Sequence, residues 1–285
     1  MPKEHKSFKI DFLTNHSSLF AETRERAKEV GLATAFAEKM QAANIHIKFE
    51  GNTSFFNKVG SPTLFIGNHA TGFENVIMLA AFGSFLREDV KFATKPYTFT
   101  NHLIVMLGQD ENSYTIPLIP QTMAKDRSGG AIILKHLFTK DLLTRNEIKT
   151  QNMKSLQIAA KELNKGSVVV IYPTGEINDA RSSKWFSGVG EVIKMISPEK
   201  RNSVNIVPFF CEGIQPLNLV RAFLSSSLGN RPKEQNITIH LGKQDTIKTL
   251  FDDHINLESA SPNDITEILR QQFISDFPIG GKRRK

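Results

Sequence analysis

The sequence predicts an α/β fold: a mostly parallel central sheet flanked by helices, with a short N-terminal helical segment. The first observation is that short apolar runs alternate with longer amphipathic stretches from about Ile45 onward. The second is a helix that ends at Gly166 and is followed by the all-apolar run 168–171. The apolar residues of that helix recur at helical spacing, as Met153, Leu156, Ala160 and Leu163. Strands without polar alternation are typical of parallel sheets covered by helices on both faces.

Each element follows from local patterning. Residues 17–43 are predicted to be helical, because apolar and small side chains recur near one face, and Gly31 can divide this stretch into two helices. Apolar runs predict strands at 45–49, 63–66, 90–93, 115–119, 167–172, 205–210 and 236–241. Helices are predicted between them at 74–86, 129–140, 151–164, 189–196 and 217–226. A last helix is predicted at 265–277, since Ser261, Pro262 and Asp264 form a capping pattern ahead of it.

The length of the chain suits one large domain, or a domain with a small accessory part. With 285 residues, of which 40% are hydrophobic, it can bury a substantial core. We expect an N-terminal helical segment at 1–44, an α/β domain at 45–281 and a basic tail at 282–285. A single cysteine, Cys211, excludes an internal disulfide framework and suits a reducing compartment. No signal peptide is expected, and the longest apolar run, 76–86, is about half of the ~20 residues that a spanning helix needs.

The net charge of +7 is concentrated in the middle of the chain and at its end. Residues 91–201 hold 16 Lys and Arg against 10 Asp and Glu, and the tail reads Lys282-Arg283-Arg284-Lys285. A basic excess suits an anionic membrane surface, a phosphorylated substrate or nucleic acid. Nucleic acid is the least favoured partner, because the sequence has no nucleic-acid-binding motif and no cluster of base-stacking aromatic residues.

The strongest candidate for catalysis lies where the second predicted strand meets the next helix. The strand is followed by Asn68 and His69, and Glu74 stands in the first turn of the helix. A neutral imidazole can accept a proton from an alcohol if a carboxylate orients its other nitrogen and stabilises the resulting cation. His69 and Glu74 therefore form a candidate general-base pair. On this segment alone, a histidine with a purely structural place in the loop remains the alternative.

Two further strand ends add candidates, and ligands of open α/β sheets bind beyond the carboxyl ends of strands. One is the turn-rich segment 172–181, and the other lies around 207–210. The candidates at these ends and among nearby basic groups are Lys95, Arg127, Thr174, Gly175, Glu176, Arg181 and Pro208. Each basic residue taken singly can be a solvated surface charge.

The order and spacing of these segments resemble the glycerolipid and lysophospholipid acyltransferases, including the 1-acylglycerol-3-phosphate acyltransferases. Their first block, Asn-His-x4-Asp, resembles Asn68-His69-x4-Glu74, which is an HX4E form of the motif. Their Ala-Lys segment and their second block resemble Ala93-Thr94-Lys95 and Asp126-Arg127-Ser128. Their third block, Phe-Pro-Glu-Gly-Thr-Arg, resembles Tyr172-Pro173-Thr174-Gly175-Glu176-Ile177, and the fourth resembles Ile206-Val207-Pro208-Phe209. Four blocks in this order across residues 60–245 are more specific than any single one.

The resemblance implies an O-acyltransferase of phospholipid biosynthesis. A fatty acyl group would pass from a thioester, acyl-CoA or acyl-carrier protein, to a hydroxyl of glycerol 3-phosphate or a lysophospholipid. His69 would act as general base and Glu74 would orient it, with backbone groups near Gly175 as candidate oxyanion donors. The implied substrate-binding residues are Asn68, Lys95, Arg127, Thr174, Gly175, Glu176, Arg181 and Pro208. The resemblance implies neither a metal nor a further cofactor. Because the sequence has no spanning segment and carries a basic middle segment and tail, we expect a cytoplasmic protein that is attached peripherally to the membrane.

Two departures from the family pattern affect the expected substrate. Glu74 replaces Asp, which lengthens the orienting arm by one methylene and keeps its charge. Thr174 and Ile177 stand where the third block carries Glu and Arg, and the family's Arg is taken to hold the acceptor's phosphate. Glu176 and Arg181 can replace these groups by a local shift. The alternative is an acceptor without glycerol phosphate.

Two other classes of protein compete with this interpretation. A serine hydrolase would carry a Gly-x-Ser-x-Gly turn, which the sequence lacks. A catalytically silent family member that binds lipid or regulates another protein is the second class, because the third block differs from the family pattern.

Overall fold

The computed structural model describes residues 20–54, 60–94, 104, 107, 109–110, 113–120, 124, 143–175, 177–252 and 255–279. The helices are α1 (Ala21–Val30), α2 (Leu32–Ala42), α3 (Glu74–Gly83), α4 (Arg145–Lys165), α5 (Gly188–Met195), α6 (Pro216–Ser227), α7 (Ile247–Phe251) and α8 (Pro262–Asp276). The strands are β1 (Ile45–Glu50), β2 (Thr63–Gly67), β3 (Val90–Thr94), β4 (Thr115–Pro117), β5 (Val168–Ile171), β6 (Asn205–Glu212), β7 (Gln235–Leu241) and β8 (Asp245–Thr246).

The strands form one mostly parallel sheet, which confirms the predicted fold class. Their order is β1-β7-β6-β2-β5-β3-β4, and β8 pairs with β6. The neighbours β6, β2, β5, β3 and β4 are all parallel. The strands β7 and β8 run antiparallel to β6, and β1 runs parallel to β7. The carboxyl ends of β2, β5 and β6 therefore meet at one edge, where α/β sheets bind their ligands.

Two hydrophobic clusters cover the two faces of the sheet, because alternate residues of β2 and β5 belong to different clusters, whereas the buried apolar residues of β1 and β7 belong only to the first. The first cluster joins the sheet to α1, α2, α3 and α6 through residues such as Phe36, Val76 and Phe223. The second joins it to α4, α5, α7 and α8 through residues such as Leu163 and Phe273. The helices α1 and α2 thus contribute to the same core as the sheet. The predicted boundary between an N-terminal segment ending at 44 and a domain starting at 45 stays a prediction.

Most differences between predicted and observed elements lie at helix ends. The helix α4 begins at Arg145 rather than 151, because Thr144 and Glu147 form a complete capping box ahead of it. The helix α3 ends at Gly83 rather than 86, and Leu86 adopts a positive φ of 57° in the following turn. Gly31 divides α1 from α2, as predicted. The short elements α7 and β8 were not predicted, and the predicted helix at 129–140 lies outside the described residues.

The helix that carries Glu74 is fixed by close packing. Every residue of α3 is buried. At its end, a Cβ built on Gly83 would lie 1.8 Å from the carbonyl oxygen of Ala33 in α2. The start of α2 is held in turn by Glu88, whose carboxylate accepts hydrogen bonds of 2.9 Å from the backbone amides of Ala33 and Thr34. This contact between the two helices fixes how α3 presents its first turn to the edge of the sheet.

Candidate active site

The candidate site begins where β2 leaves the sheet. All of Thr63–Gly67 is buried, and at Gly67 a Cβ would lie 2.1 Å from the ring of Phe209, so only glycine fits there. Asn68 follows, 2% exposed, and then His69 in the turn toward α3. The His69 side chain is 12% exposed, so it borders the solvent at the carboxyl edge of the sheet.

Glu74, the first residue of α3, lies beside this histidine. Its Oε2 is 3.0 Å from His69 Nδ1, and its side chain is 2% exposed. The distance is short, but the ring N–H does not point along it, and Nδ1 has no aligned hydrogen bond within the described part of the chain. Hydrogen bonds of catalytic residues are often poorly aligned before substrate binds. The structure therefore brings together the two residues that the sequence paired.

Local backbone donors orient the Glu74 carboxylate. Its Oε1 accepts from the amide of Thr71 at 2.7 Å and from the Thr71 hydroxyl at 2.9 Å, and its Oε2 accepts from the amide of Gly72 at 2.9 Å. Burial raises the pKa of Glu74, whereas the interaction with His69 and the backbone hydrogen bonds lower it. The lowering effects are the larger, so the net shift of the pKa is downward. Glu74 is thus an ionised, immobilised carboxylate. Thr71 lies in the turn before α3 and is not its capping residue, since Phe73 occupies the N-cap position, and sequence reasoning missed it.

Tyr172 forms the wall behind the histidine. Its ring centroid is 4.5 Å from that of His69, with the planes tilted by 30°. Burial raises the pKa of the Tyr172 phenol well above its usual range, with Glu74 and Cys211 adding to the effect. Its hydroxyl, which is buried, has no hydrogen-bond partner among the residues that the structure describes. Sequence reasoning missed this residue, because it follows an all-apolar strand and reads as the end of that strand.

The segment after β5 is fastened to the histidine turn. Asn68 Oδ1 accepts a 2.7 Å hydrogen bond from the amide of Ala180, and the amide of Asn178 donates to the carbonyl of His69 at 2.9 Å. The indole of Trp185 donates to the carbonyl of Ala180 at 2.8 Å. Asn68 therefore joins two strand ends, which is a positioning task. Its predicted contact with substrate stays a prediction.

Comparison with known proteins finds similarity at the level of structure. No protein-family model and no curated protein matches this sequence. The chain is similar to a solved structure, the crystal structure of the 1-acyl-sn-glycerophosphate (LPA) acyltransferase PlsC from Thermotoga maritima. The identity is 12% and the TM-score 0.45, over 95% of this chain and 91% of that chain. The roles proposed below are therefore argued from the residues of this chain.

The third-block segment forms a tight turn with apolar side chains on its outside. Gly175 has a φ of +63°, and its amide donates to the carbonyl of Tyr172 at 3.0 Å, so the turn already uses this candidate oxyanion donor. Thr174 is buried, with 2% exposed. Ile177 and Phe186 are 54% and 53% exposed. Ile177 stands where the acyltransferase family that this sequence resembles carries arginine. That position thus presents an apolar side chain to solvent.

Arg181 is held by a neighbour rather than left free. Its Nε and Nη2 donate to both carboxylate oxygens of Asp179, at 2.9 and 2.6 Å in the shorter contacts, and its guanidinium lies 4.7 Å from the ring centroid of Phe210. The pairing lowers the pKa of Asp179 and raises that of Arg181. Within the described residues, Nη1 donates to no protein atom. Arg181 therefore retains one nitrogen that can bind an anion.

Pro208 is part of the sheet itself. It is buried in β6 opposite Ile66 of the parallel strand β2. On the other side of β6 it lies between the residues that pair with β8 and those that pair with β7, so its missing N–H removes no bond from these two antiparallel ladders. Its carbonyl accepts from the amide of Gly242 at 2.8 Å. Its predicted contact with substrate stays a prediction.

Other predicted features are outside the described residues: Lys95, Arg127, Glu176 and the tail 282–285. In the part of the chain that the structure covers, no cluster of three or more His, Cys, Asp or Glu side chains is placed to hold a metal ion. Of the described helices, none combines the length and the apolar character needed to cross a membrane.

Proposed function

We propose that this protein is an O-acyltransferase in which His69 is the general base and Glu74 orients it. The proposal is supported by one observation above all: a solvent-bordering imidazole lies 3.0 Å from a buried carboxylate at the ligand-binding edge of the sheet. The carboxylate is fixed by donors from Thr71 and Gly72. Its negative charge would stabilise the imidazolium that forms when His69 accepts a proton.

The reaction proceeds by direct transfer between donor and acceptor. His69 Nε2 takes the proton of the acceptor hydroxyl while Glu74 faces Nδ1, and the alkoxide attacks the carbonyl carbon of the thioester. The tetrahedral intermediate then collapses, the C–S bond breaks, and the thiolate takes the proton from His69. The ester remains on the acceptor, and neither side chain is acylated. Tyr172 stacks behind the imidazole and limits its rotation.

The proposed substrates follow from the four sequence blocks that resemble the glycerolipid acyltransferases. The donor is acyl-CoA or acyl-carrier protein, and the acceptor is glycerol 3-phosphate or a lysophospholipid presented at a membrane surface. No cofactor besides the donor is proposed. An acceptor without glycerol phosphate is the second candidate, which is supported by the exposed, apolar Ile177 at the position of the family's arginine.

A substrate panel tests this proposal. Radiolabelled acyl-CoA and acyl-carrier protein are offered with glycerol 3-phosphate, with several lysophospholipids and with lyso-lipids that lack phosphate. We expect transfer to at least one hydroxyl acceptor. Transfer only to acceptors without phosphate would support the second candidate. A folded protein that binds these lipids but transfers nothing to any of them would instead be the catalytically silent lipid-binding protein.

A pair of substitutions separates the charge of Glu74 from its shape. We expect Glu74→Asp to retain appreciable acyl transfer, and Glu74→Gln to lose most of kcat, because only a carboxylate stabilises the imidazolium. Steady-state kinetics on both variants, with thermal unfolding as a check of the fold, make the comparison. Equal kcat in the two variants would show that Glu74 serves only to start α3.

Arg181 tests the proposed contact with an acceptor phosphate. We expect Arg181→Ala to raise the KM for a phosphate-bearing acceptor by roughly 10-fold or more and to leave the KM for the acyl donor nearly unchanged, because a charge-assisted hydrogen bond is lost. Arg127→Ala is the comparison, since the second block is closer to the family pattern. If Arg181→Ala has a normal KM for the acceptor and Arg127→Ala a raised one, Arg181 does not bind the phosphate. Its role would then be limited to the ion pair with Asp179.

A further inference from the structure

The helix α6 has apolar side chains on two opposite faces. Leu219, Ala222 and Phe223 are buried in the core against the sheet. On the opposite side, four residues spaced three or four apart are exposed: Leu217 by 73%, Val220 by 37%, Leu224 by 46% and Leu228 by 74%. At 100° per residue these four form a single stripe along the helix and the turn that ends it. We refer to them as the α6 stripe. Contiguous exposed apolar patches of this kind commonly mark an interaction surface.

A basic cleft runs beside the α6 stripe. Its volume is about 380 Å³, and it is lined by Asn218, Arg221, Ala222, Ser225, Pro232, Lys233 and Gln235. The lining contains two cations and no carboxylate. Arg231, also exposed, lies in the loop that leads to Lys233.

The cations of this surface are not engaged in ion pairs within the described part of the chain. Arg221, Arg231 and Lys233 form no ion pair with any described residue. Several other surface cations of the same fold are paired, such as Arg26 with Glu38 and Arg270 with Glu267. An uncompensated cluster beside an apolar stripe is complementary to a partner that is both anionic and apolar.

We propose that the α6 stripe and its cleft dock the protein on an anionic phospholipid bilayer. The apolar tips enter the acyl layer, and Arg221 and Lys233 bind headgroup phosphates in the cleft, as interfacial helices do. A second copy of this chain fits less well, because a two-fold contact sets a patch against itself and would oppose like charges. The helix starts four residues after β6, at the edge that holds His69, so docking brings that edge toward the lipid.

This proposal deepens the membrane association contained in the proposed function, and it does not depend on acyl transfer. Co-sedimentation with vesicles tests it in the absence of acyl donor and acceptor. The full chain is mixed with vesicles of phosphatidylcholine alone, or of phosphatidylcholine with phosphatidylglycerol, at low and at high salt. We expect binding to the mixed vesicles, weakened by salt, and much weaker binding to phosphatidylcholine alone.

Variants assign that binding to α6. We expect Leu217→Gln combined with Leu224→Gln to weaken binding to the mixed vesicles by about tenfold or more, since two partly exposed leucines no longer enter the apolar layer. Arg221→Gln combined with Lys233→Gln should weaken it by at least tenfold at low salt, at about 1 kcal/mol per cation. Ile158→Gln is the matched control, because Ile158 is 48% exposed on α4, whose buried residues pack on the other face of the sheet. Binding by this control should be unchanged.

Three results would overturn the proposal. The first is equal vesicle binding by the leucine variant and the Ile158→Gln control. The second is unchanged vesicle binding together with a dimer, seen in analytical ultracentrifugation, that the leucine variant dissociates; a second copy would then cover the stripe. The third is unchanged vesicle binding with lost binding to acyl-carrier protein, which would make the surface a protein-docking site. Loss of acyl transfer in a His69 variant leaves all of these measurements valid, because none of them depends on catalysis.

Discussion

His69→Gln reduces acyl transfer by roughly 10²–10⁴-fold or more, the contribution of a general base, while the fold stays intact. Glutamine removes the basic imidazole, but its amide can still donate to the Glu74 carboxylate, so the buried charge keeps a partner. The position is at the edge of the sheet and borders solvent, so we expect little change in the unfolding temperature. Single-turnover measurements with saturating donor report the chemical step directly.

A second histidine provides the control for this experiment. His46 is exposed on β1, and its Nε2 lies 3.0 Å from Asn44 Oδ1. We expect His46→Gln to transfer acyl groups at the normal rate. If the His69→Gln protein is folded and turns over at a similar rate, the central claim about the site is wrong, and the base must be sought elsewhere.

Gly83→Ala destabilises the protein by about 1–3 kcal/mol or more, although alanine is the better helix former. The added Cβ would lie 1.8 Å from the carbonyl oxygen of Ala33 and 2.6 Å from the amide of Thr34. Both atoms belong to the backbone of α2, so one helix must move. Because α3 begins with Glu74, the movement should also lower kcat by lengthening the contact with His69. Denaturant unfolding and steady-state kinetics measure the two effects.

Gly188→Ala is the matched substitution. Gly188 is also helical, but there a Cβ would meet only the side chain of Leu156, at 3.5 Å, which is ordinary contact. We expect stability to stay the same or to increase by up to about 1 kcal/mol, as helix propensity favours alanine. Equal stability of the two variants would show that α2 and α3 can separate without cost, and that their contact does not fix Glu74.

Local patterns were sufficient where the relevant contacts are close in sequence. The start of α8 was predicted from Ser261 and Asp264, and the structure shows both hydrogen bonds of their capping box. The pairing of His69 with Glu74 was predicted for the same reason, since a strand, a turn and a helix start bring them together within one local unit. Where a capping signal was overlooked, as at Thr144 and Glu147, the predicted start of α4 was wrong.

Long-range packing decided the rest of the site. Asn68 and Ala180 are 112 residues apart in the sequence. No local pattern indicates that the side-chain oxygen of Asn68 accepts a hydrogen bond from the backbone of Ala180. The stacking of Tyr172 on His69 depends on β2 and β5 being neighbours in the sheet. Strand order is decided by the whole core, because each strand end could in principle meet several others.

The sequence by itself determined the alternation of helices and strands, the turn that carries His69 and the carboxylate beside it, since capping, glycine breaks and apolar periodicity act within a few residues. Only the tertiary structure decided which side of a helix is buried. In α6, apolar residues recur on two faces, and the pattern alone does not distinguish them. Packing against the sheet buries Phe223 and leaves Leu217 in solvent, because the sheet offers one apolar surface and the helix can place only one face on it.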